Sequence, residues 1–299
     1  MKTRLQRVAV GLHTGGETRF WSRGVPADAV FEIGSITKTF TGLLLADMAR
    51  EGLVALDDPV AEYLPVASPD VGRPITLEHL ATHTSGLPRL PRGTLIAGYT
   101  RERKDPYAKV DLRTAIPATR PKRAPGGRAV YSNYGYGLLG YALAQRAGMS
   151  YGDLVRTRIA GPLGLTQTAL DTPGLVQGHT RRGKPTPPWN LSDLAGAGGL
   201  RSTVDDLLDY LALHSRSDLP LAESARDTRR PRAKLAGARI GLGWLIMPNG
   251  TVLHDGGTGG FRSFAATVPD TGHAVVVLAN QARSAGRLGM KLLQANAGV

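Results

Sequence analysis

Phe31-Glu32-Ile33-Gly34-Ser35-Ile36-Thr37-Lys38-Thr39-Phe40 is the stretch where the chain turns from strand to helix. Beyond Gly34-Ser35, the residues Phe40, Leu43, Leu44, Met48 and Leu53 recur with the spacing of an amphipathic helix, and Gly52 suits its C-terminal cap. With a helix beginning at Ser35, the serine hydroxyl and the Lys38 amine stand at i and i+3 on one face. A serine hydroxyl needs an adjacent base to act as a nucleophile. A lysine serves when burial or neighbouring positive charge depresses its pKa. The helix N-terminus also offers the Ser35 N–H to a developing oxyanion. The plain alternative is Ser35 as an N-cap, because Ser-x-x-Lys recurs by chance in many chains.

Outward from this junction, residues 7–12 and 17–22 read as strands joined by a Gly15-Gly16 turn. Residues 76–81, 135–147 and 151–159 read as helices, and Thr203-Val204-Asp205-Asp206 as a capping box opening a helix over 207–213. Residues 88–128, rich in Pro, Gly and charge, read as surface loops, as does Pro185-Thr186-Pro187-Pro188. The C-terminal third returns to strands over 243–247, 251–254, 261–268 and 274–278, with a Pro248-Asn249-Gly250 turn and a last helix over 287–294. Strands at both ends with helices between them predict an α+β fold. Its antiparallel sheet is built from N- and C-terminal strands and flanked by helices, with an inserted helical lobe. Residues 1–299 form one catalytic unit in this reading, with 1–65 and 195–299 as the α/β part and 66–194 as the mostly helical part. The cleft between the two parts is the expected place for chemistry.

The 299 residues are 41% hydrophobic and 20% charged, which suits a globular chain large enough to bury a core without covalent staples. There is no cysteine, which excludes disulfides, thiolate metal sites and cysteine nucleophiles. No apolar run approaches the roughly 20 residues that span a bilayer. The basic start Met1-Lys2-Thr3-Arg4-Leu5-Gln6-Arg7 lacks the apolar region of a signal peptide, and Val8-Ala9-Val10-Gly11-Leu12 is soon ended by a turn. A cytoplasmic protein with no membrane partner is therefore expected. A net charge of +13 admits nucleic acid, an anionic surface or acidic substrates as partners. The basic clusters at 101–104, Arg181-Arg182 and 229–232 lie in different loops and have no interleaved aromatics. They read as a scattered arginine-rich surface, and no nucleic-acid partner is expected.

Two further segments hold chemistry-bearing residues. In Tyr131-Ser132-Asn133, a tyrosine near a cationic lysine can shift toward phenolate, a competent general base. The asparagine offers a donor and an acceptor to an amide or ester. The alternative is a turn with Asn133 capping the helix before Gly135. In His254-Asp255-Gly256-Gly257-Thr258-Gly259-Gly260-Phe261, glycines at a strand end let a substrate approach the backbone, whose N–H can complete an oxyanion hole. The alternative is a glycine-rich hairpin turn. No Gly-Lys-Ser/Thr follows, so this is not a phosphate loop. His79 and His83 stand at i and i+4, like two zinc ligands on a helix, but Leu80 occupies the place of the glutamate that a metalloprotease signature needs. No metal and no cofactor are expected.

In their order and spacing these segments resemble the serine β-lactamase and penicillin-binding-protein superfamily. The likeness is greatest to the branch of class C β-lactamases, D-Ala-D-Ala carboxypeptidases, D-aminopeptidases and related esterases and transacylases. It runs along nearly the whole chain: the 31–40 stretch, Leu56-Asp57-Asp58-Pro59-Val60 with Tyr63-Leu64-Pro65, and Thr76-Leu77-Glu78-His79-Leu80-Ala81-Thr82-His83-Thr84-Ser85-Gly86-Leu87. Pro125-Gly126-Gly127, Tyr131-Ser132-Asn133-Tyr134-Gly135-Tyr136, Pro162-Leu163-Gly164-Leu165, Ala197-Gly198-Gly199-Leu200-Arg201-Ser202-Thr203 and the His254 segment complete it.

The resemblance implies that Ser35 is the acylated nucleophile and Lys38 its activating neighbour. Tyr131 would carry protons to the leaving group and from the acceptor, and Asn133 would hold the acyl side chain. His254 and Gly256 match the family's third motif, where Lys-Thr-Gly is common and His-x-Gly also occurs, and the oxyanion donors would be the N–H groups of Ser35 and Gly257. His254 is expected on an edge strand facing the cleft. A histidine there puts a fixed cation for a substrate carboxylate in question. Arg262 is the candidate to replace it, with a solvated strand arginine as the alternative. Tyr131, where another branch has Ser-Asp-Asn, speaks against deacylation by a separate glutamate. The expected activity is serine hydrolysis, through an acyl-enzyme, of small-molecule or short-peptide esters and amides, β-lactam-like ones included. Transfer of the acyl group to an amine or alcohol is the alternative within the enzyme class. A non-catalytic β-lactam or peptide binder or sensor is the alternative outside it.

Overall fold

The computed structural model describes residue 5 and residues 7–65, 74–91, 105–235 and 237–297. Strands β1 (Val8–Thr14) and β2 (Glu17–Arg23) open the chain, and the short β3 (Phe31–Glu32) pairs with β4 (Arg201–Ser202). The C-terminal part supplies β5 (Ala233–Leu235), β6 (Ala238–Ile240), β7 (Leu245–Ile246), β8 (Val252–Gly257), β9 (Arg262–Val268) and β10 (His273–Ala279). Among the described residues the main sheet runs β2-β1-β10-β9-β8-β7-β6-β5, antiparallel throughout. The expected sheet of N- and C-terminal strands is present. It is wider than expected, because β5 and β6 are three residues each and carry Lys234 and Arg239, too short and too polar to show a period.

Strand alternation divides the core. Val8, Val10 and Leu12 of β1 join Val275, Val277 and Ala279 of β10 under Leu293 of α8 (Gly286–Ala297). The opposite face, with Ala9, Ala274, Val276 and Leu278, meets Val204, Leu207 and Leu211 of α6 (Val204–Ala212). Burial on both faces explains the unbroken apolar run of β10. Helix α1 (Thr37–Arg50) lies in the same cluster, beside α4 (Asn133–Ala147). Every residue of α1 from Thr37 to Met48 is buried, so its expected amphipathic pattern gives way to a central helix enclosed on all sides.

Several sequence expectations are corrected. The helix starts at Thr37, not Ser35, because a 3-10 turn over Gly34–Ile36 precedes it and no side chain caps it. The helix expected over 151–159 is α5 (Tyr151–Val155) followed by a π-turn, Arg156–Ala160. Pro162 has no N–H to donate to the carbonyl one turn back, so the ladder loses a bond there, and the segment ends in a short helical turn, Gly161–Leu163. The 88–128 loop contains the short α3 (Leu112–Ala115), with α2 (Leu77–Ala81) before it, and α7 (Ala222–Thr228) was not expected. Residues 92–104, with the basic cluster at 101–104, lie outside the described residues.

The glycines at 256 and 257 belong to β8, which continues in register as far as Gly257 opposite Arg262. Nor is β8 an edge strand of the sheet. However, β7 pairs only with Val252 and Leu253, so the half of β8 from His254 onward has β9 on one side and the Gly34–Ile36 turn on the other. Part of the 229–232 basic cluster is used in ion pairs, Arg230 with Asp227 and Arg232 with Glu78, each at 3.0 Å. No helix among the described residues is long and apolar enough to cross a membrane.

Candidate active site

Ser35 reaches its place through Gly34, whose φ of 51° turns the chain sharply out of β3. A β-carbon on Gly34 would stand 2.6 Å from the Gly257 nitrogen, and one on Gly256 would stand 2.1 Å from the Ile33 carbonyl oxygen. Only glycines let β8 and the nucleophile's segment approach this closely. Ser263 Oγ stitches the same junction by donating to Ile33 O at 2.7 Å. Tyr131 and Asn133 arrive on the segment that opens α4, where Ser132 Oγ accepts the Gly135 N–H at 2.9 Å as N-cap.

These elements bring two side chains onto Ser35 Oγ. Lys38 Nζ lies 3.2 Å from Ser35 Oγ, and Tyr131 donates its hydroxyl to the same oxygen at 2.8 Å. Lys38 Nζ also meets Asn133 Oδ1 at 2.9 Å and the Ala197 carbonyl. Asn133 Nδ2 donates to Tyr107 Oη at 2.7 Å. Gly257 faces the same spot. Thr258 N–H bonds back to Phe261 O across the Gly259-Gly260 turn. Alternation along the ladder then makes Gly257–Arg262 a pair without mutual hydrogen bonds. The Gly257 N–H therefore turns away from β9, toward the side where Gly34 and Ser35 lie.

Lys38 is fully buried, and burial holds its amine well below the usual lysine range. The Arg89 charge adds to that fall and Asp255 opposes it. A neutral amine has two hydrogens and one lone pair. Asn133 Oδ1 and Ala197 O are pure acceptors and take the hydrogens, which leaves the lone pair for the Ser35 hydroxyl. Tyr131 moves the other way: burial pushes its phenol up, while the Ser35 contact and Arg89 pull it back only in part. The pull toward phenolate that a cationic lysine exerts is opposed here by desolvation of the phenol, the largest influence on it.

His254 is buried, and its imidazole is pushed down to about 4 by burial and then by Lys38. Its Nδ1 lies 2.7 Å from Asp255 O, which can only accept, so Nδ1 carries the proton of the neutral ring. Arg262 Nη1 donates to the carbonyls of Thr258 and Phe261 at 2.8 and 2.6 Å, holding the hairpin beside Gly257.

Sequence reasoning missed three neighbours. The exposed guanidinium of Arg89 lies 5.3 Å from the centre of the Tyr131 ring. Tyr107 anchors Asn133, and Ala197 contributes only a backbone oxygen, which no sequence pattern announces. His83 has the spacing of a zinc ligand with His79, but its ring is engaged otherwise. Its Nδ1 accepts the Ser132 N–H at 3.1 Å, and its ring lies 4.5 Å from that of Tyr131. His79 Nδ1 accepts the Thr76 N–H at 3.2 Å. Among the described residues no group of three or more His, Cys, Asp or Glu is placed to hold a metal ion.

Known proteins share this plan. The profile of the Beta-lactamase family matches residues 2–298. The D-alanyl-D-alanine-carboxypeptidase/endopeptidase AmpH of Escherichia coli is 34% identical over 286 residues, covering 85% of this chain and 72% of that protein. A β-lactamase of Pseudomonas fluorescens is 28% identical, over 92% of this chain and 88% of its own. Among solved structures, a class C β-lactamase from Rhodobacter sphaeroides superposes with a TM-score of 0.81 at 27% identity, covering 99% of this chain and 95% of that one. With its profile matched almost from end to end and a relative above 30% identity, the chain belongs to the β-lactamase family.

Proposed function

We propose that the protein is an active-site serine hydrolase whose Ser35 is acylated by esters and amides, β-lactam-like and short-peptide amides included, and then released by water. The observation that carries this reading is the convergence on Ser35 Oγ of Lys38 Nζ at 3.2 Å and Tyr131 Oη at 2.8 Å, from segments 96 residues apart. The relatives named a β-lactamase and a D-alanyl-D-alanine-carboxypeptidase/endopeptidase support an amide as substrate.

In the acylation step the Ser35 hydroxyl gives its proton to the Lys38 lone pair as Oγ attacks the carbonyl carbon. The N–H groups of Ser35 and Gly257 receive the oxyanion. As the tetrahedral intermediate collapses, Tyr131 protonates the departing nitrogen or oxygen, and the proton held by Lys38 restores the phenol. Water then attacks the acyl-enzyme with its proton taken by the same pair, and Oγ leaves with a proton returned. Asn133 orients Lys38 through Oδ1, and its amide keeps a second hydrogen, beside the one given to Tyr107, for the acyl side chain. Gly256 lets β8 lie against the segment that carries Ser35. Arg262 holds the hairpin through the Thr258 and Phe261 carbonyls and is the cation of the β9 strand end nearest Gly257, while His254 is a neutral wall.

One catalytic unit with its cleft between the 1–65/195–299 and 66–194 parts, and a cytoplasmic location, belong to the same proposal. Its test is turnover of p-nitrophenyl acetate, nitrocefin and D-amino-acid amides by wild type beside Ser35→Ala, with intact mass recorded during turnover. A transient acyl adduct on wild type and none on Ser35→Ala is expected. Unchanged turnover by Ser35→Ala on every hydrolysed substrate overturns the reading.

A further inference from the structure

Glu32 lies three residues before Ser35 on β3 and is buried at 3% exposure. Its Oε1 accepts the Trp189 N–H at 2.7 Å. Its Oε2 is a buried oxygen without a partner at full hydrogen-bond geometry, and Thr258 Oγ1 is another. The Thr258 hydroxyl lies within electrostatic reach of the carboxyl. The charged groups facing Glu32 are Arg201, its cross-strand partner on β4, and Asp105, whose carboxylate holds the N–H groups of Asn190 and Leu191.

Both walls that Glu32 touches lead to the chemistry. Thr258 directly follows Gly257 at the base of the β8–β9 hairpin. On the other side, the Trp189 ring meets Tyr107 edge-on at 5.9 Å, Tyr107 accepts from Asn133, and Asn133 accepts from Lys38. We propose that Glu32 is a positioning residue: its carboxyl ties the Trp189 segment and the Thr258 end of the hairpin to the strand that presents Ser35, and so sets where Gly257 N–H and Asn133 stand around the nucleophile. The proposal rests on the acyl-enzyme reading of the same site.

Burial pushes the Glu32 carboxyl up to about 7, against the pull of Thr258, the Trp189 N–H and Arg201, while Asp105 adds to the rise. Its proton therefore comes and goes across neutral pH. The carboxylate accepts from Trp189, and its free Oε2 has acceptor capacity for the Thr258 hydroxyl nearby. The protonated form still accepts from Trp189 but donates to Thr258, and a glutamine reproduces that pattern at every pH.

The test is kcat and KM for p-nitrophenyl acetate from about pH 5.5 to about 8.5, for wild type, Glu32→Gln, Glu32→Ala and Ser35→Ala, with thermal unfolding of each. Glu32→Gln should match wild-type kcat below about pH 6 and depart from it by at least about fivefold above about pH 8, with KM within about twofold. Glu32→Ala should lose kcat at both ends. A constant ratio of wild type to Glu32→Gln across the range, or a change confined to KM, overturns the positioning role. Should Glu32→Ala fail to fold, Glu32→Gln alone decides. A flat Glu32→Gln ratio with Ser35-dependent turnover removes only this inference; turnover that survives Ser35→Ala removes the acyl-enzyme reading and this inference together.

Discussion

Lys38 Nζ stands 2.9 Å from Asn133 Oδ1, on a side chain 95 residues away, and this contact orients the amine. With Asn133 and the Ala197 carbonyl occupying its hydrogens, the lone pair of the buried amine has one place left to point, the Ser35 hydroxyl. A lysine used this way must be neutral, and its burial favours that form.

Residues that act on one atom act as a unit. Ser35→Ala, Lys38→Ala and Tyr131→Phe should each lower kcat by at least about a hundredfold, and the double variants should lose little more than the singles. Circular dichroism should show all of them folded. Additive losses in Lys38→Ala/Tyr131→Phe would mean that the two groups work independently.

The pH dependence of kcat/KM follows from the sign of the Lys38 shift. Activity needs the neutral amine, so it falls as pH drops through the folded-state pKa of Lys38. Asn133→Asp would place a carboxylate within hydrogen-bond distance of Nζ and favour the ammonium. The acidic limb should then move to higher pH by at least about one unit. A limb that stays in place, or moves down, excludes Lys38 as the group responsible.

The parts legible in the sequence are those with a local signature. Strands β1, β9 and β10 show themselves by apolar runs, and Ser35, Lys38 and Tyr131 by short motifs whose side chains meet in space. What escaped is nonlocal. Ala197 acts through a carbonyl 159 residues from Lys38, and Tyr107 sits in a stretch that reads as loop. Gly256 and Gly257 read as glycines at a strand end, with a hairpin turn as the alternative, because glycine disfavours strands. They lie in β8 because the segment at Ile33 and Gly34 comes too close for a β-carbon. Helix α7 opens at Leu221, whose φ of 66° and lack of a side-chain cap leave no start signal.

Substrate range depends on His254. At about 4 its pKa leaves the imidazole neutral at working pH, so it offers no fixed cation to a substrate carboxylate. Turnover of p-nitrophenyl acetate should exceed that of nitrocefin, which carries a carboxylate, at equal subsaturating concentration. His254→Lys should raise the nitrocefin-to-ester ratio by at least about tenfold. A ratio that is unchanged, or already above one in wild type, would assign carboxylate recognition to another group, with Arg262 and Arg89 as the next variants to measure.

Stability against pH should show two opposed slopes from two buried groups, His214 and Glu32. His214 is buried edge-on to Trp244 at 4.9 Å, and burial pushes its pKa down to about 3 from 6.5. Between those values the unfolded chain holds a proton that the native state refuses, so stability rises with pH up to about 6.5. Glu32 runs the other way. Its carboxyl, raised from 4.5 to about 7, keeps a proton in the native state that the unfolded chain releases, so stability falls with rising pH over that window. Each effect amounts to a few kcal/mol at about 1.4 kcal/mol per unit. In urea titrations at stepped pH, His214→Phe should gain on wild type as pH falls below about 6.5. Glu32→Gln should gain as pH rises from about 4.5 to about 7 and then run parallel to wild type. Curves parallel to wild type throughout would show that these groups are ionised or neutral alike in both states. Gains of the opposite sign would show that their charged forms are the ones the fold stabilises.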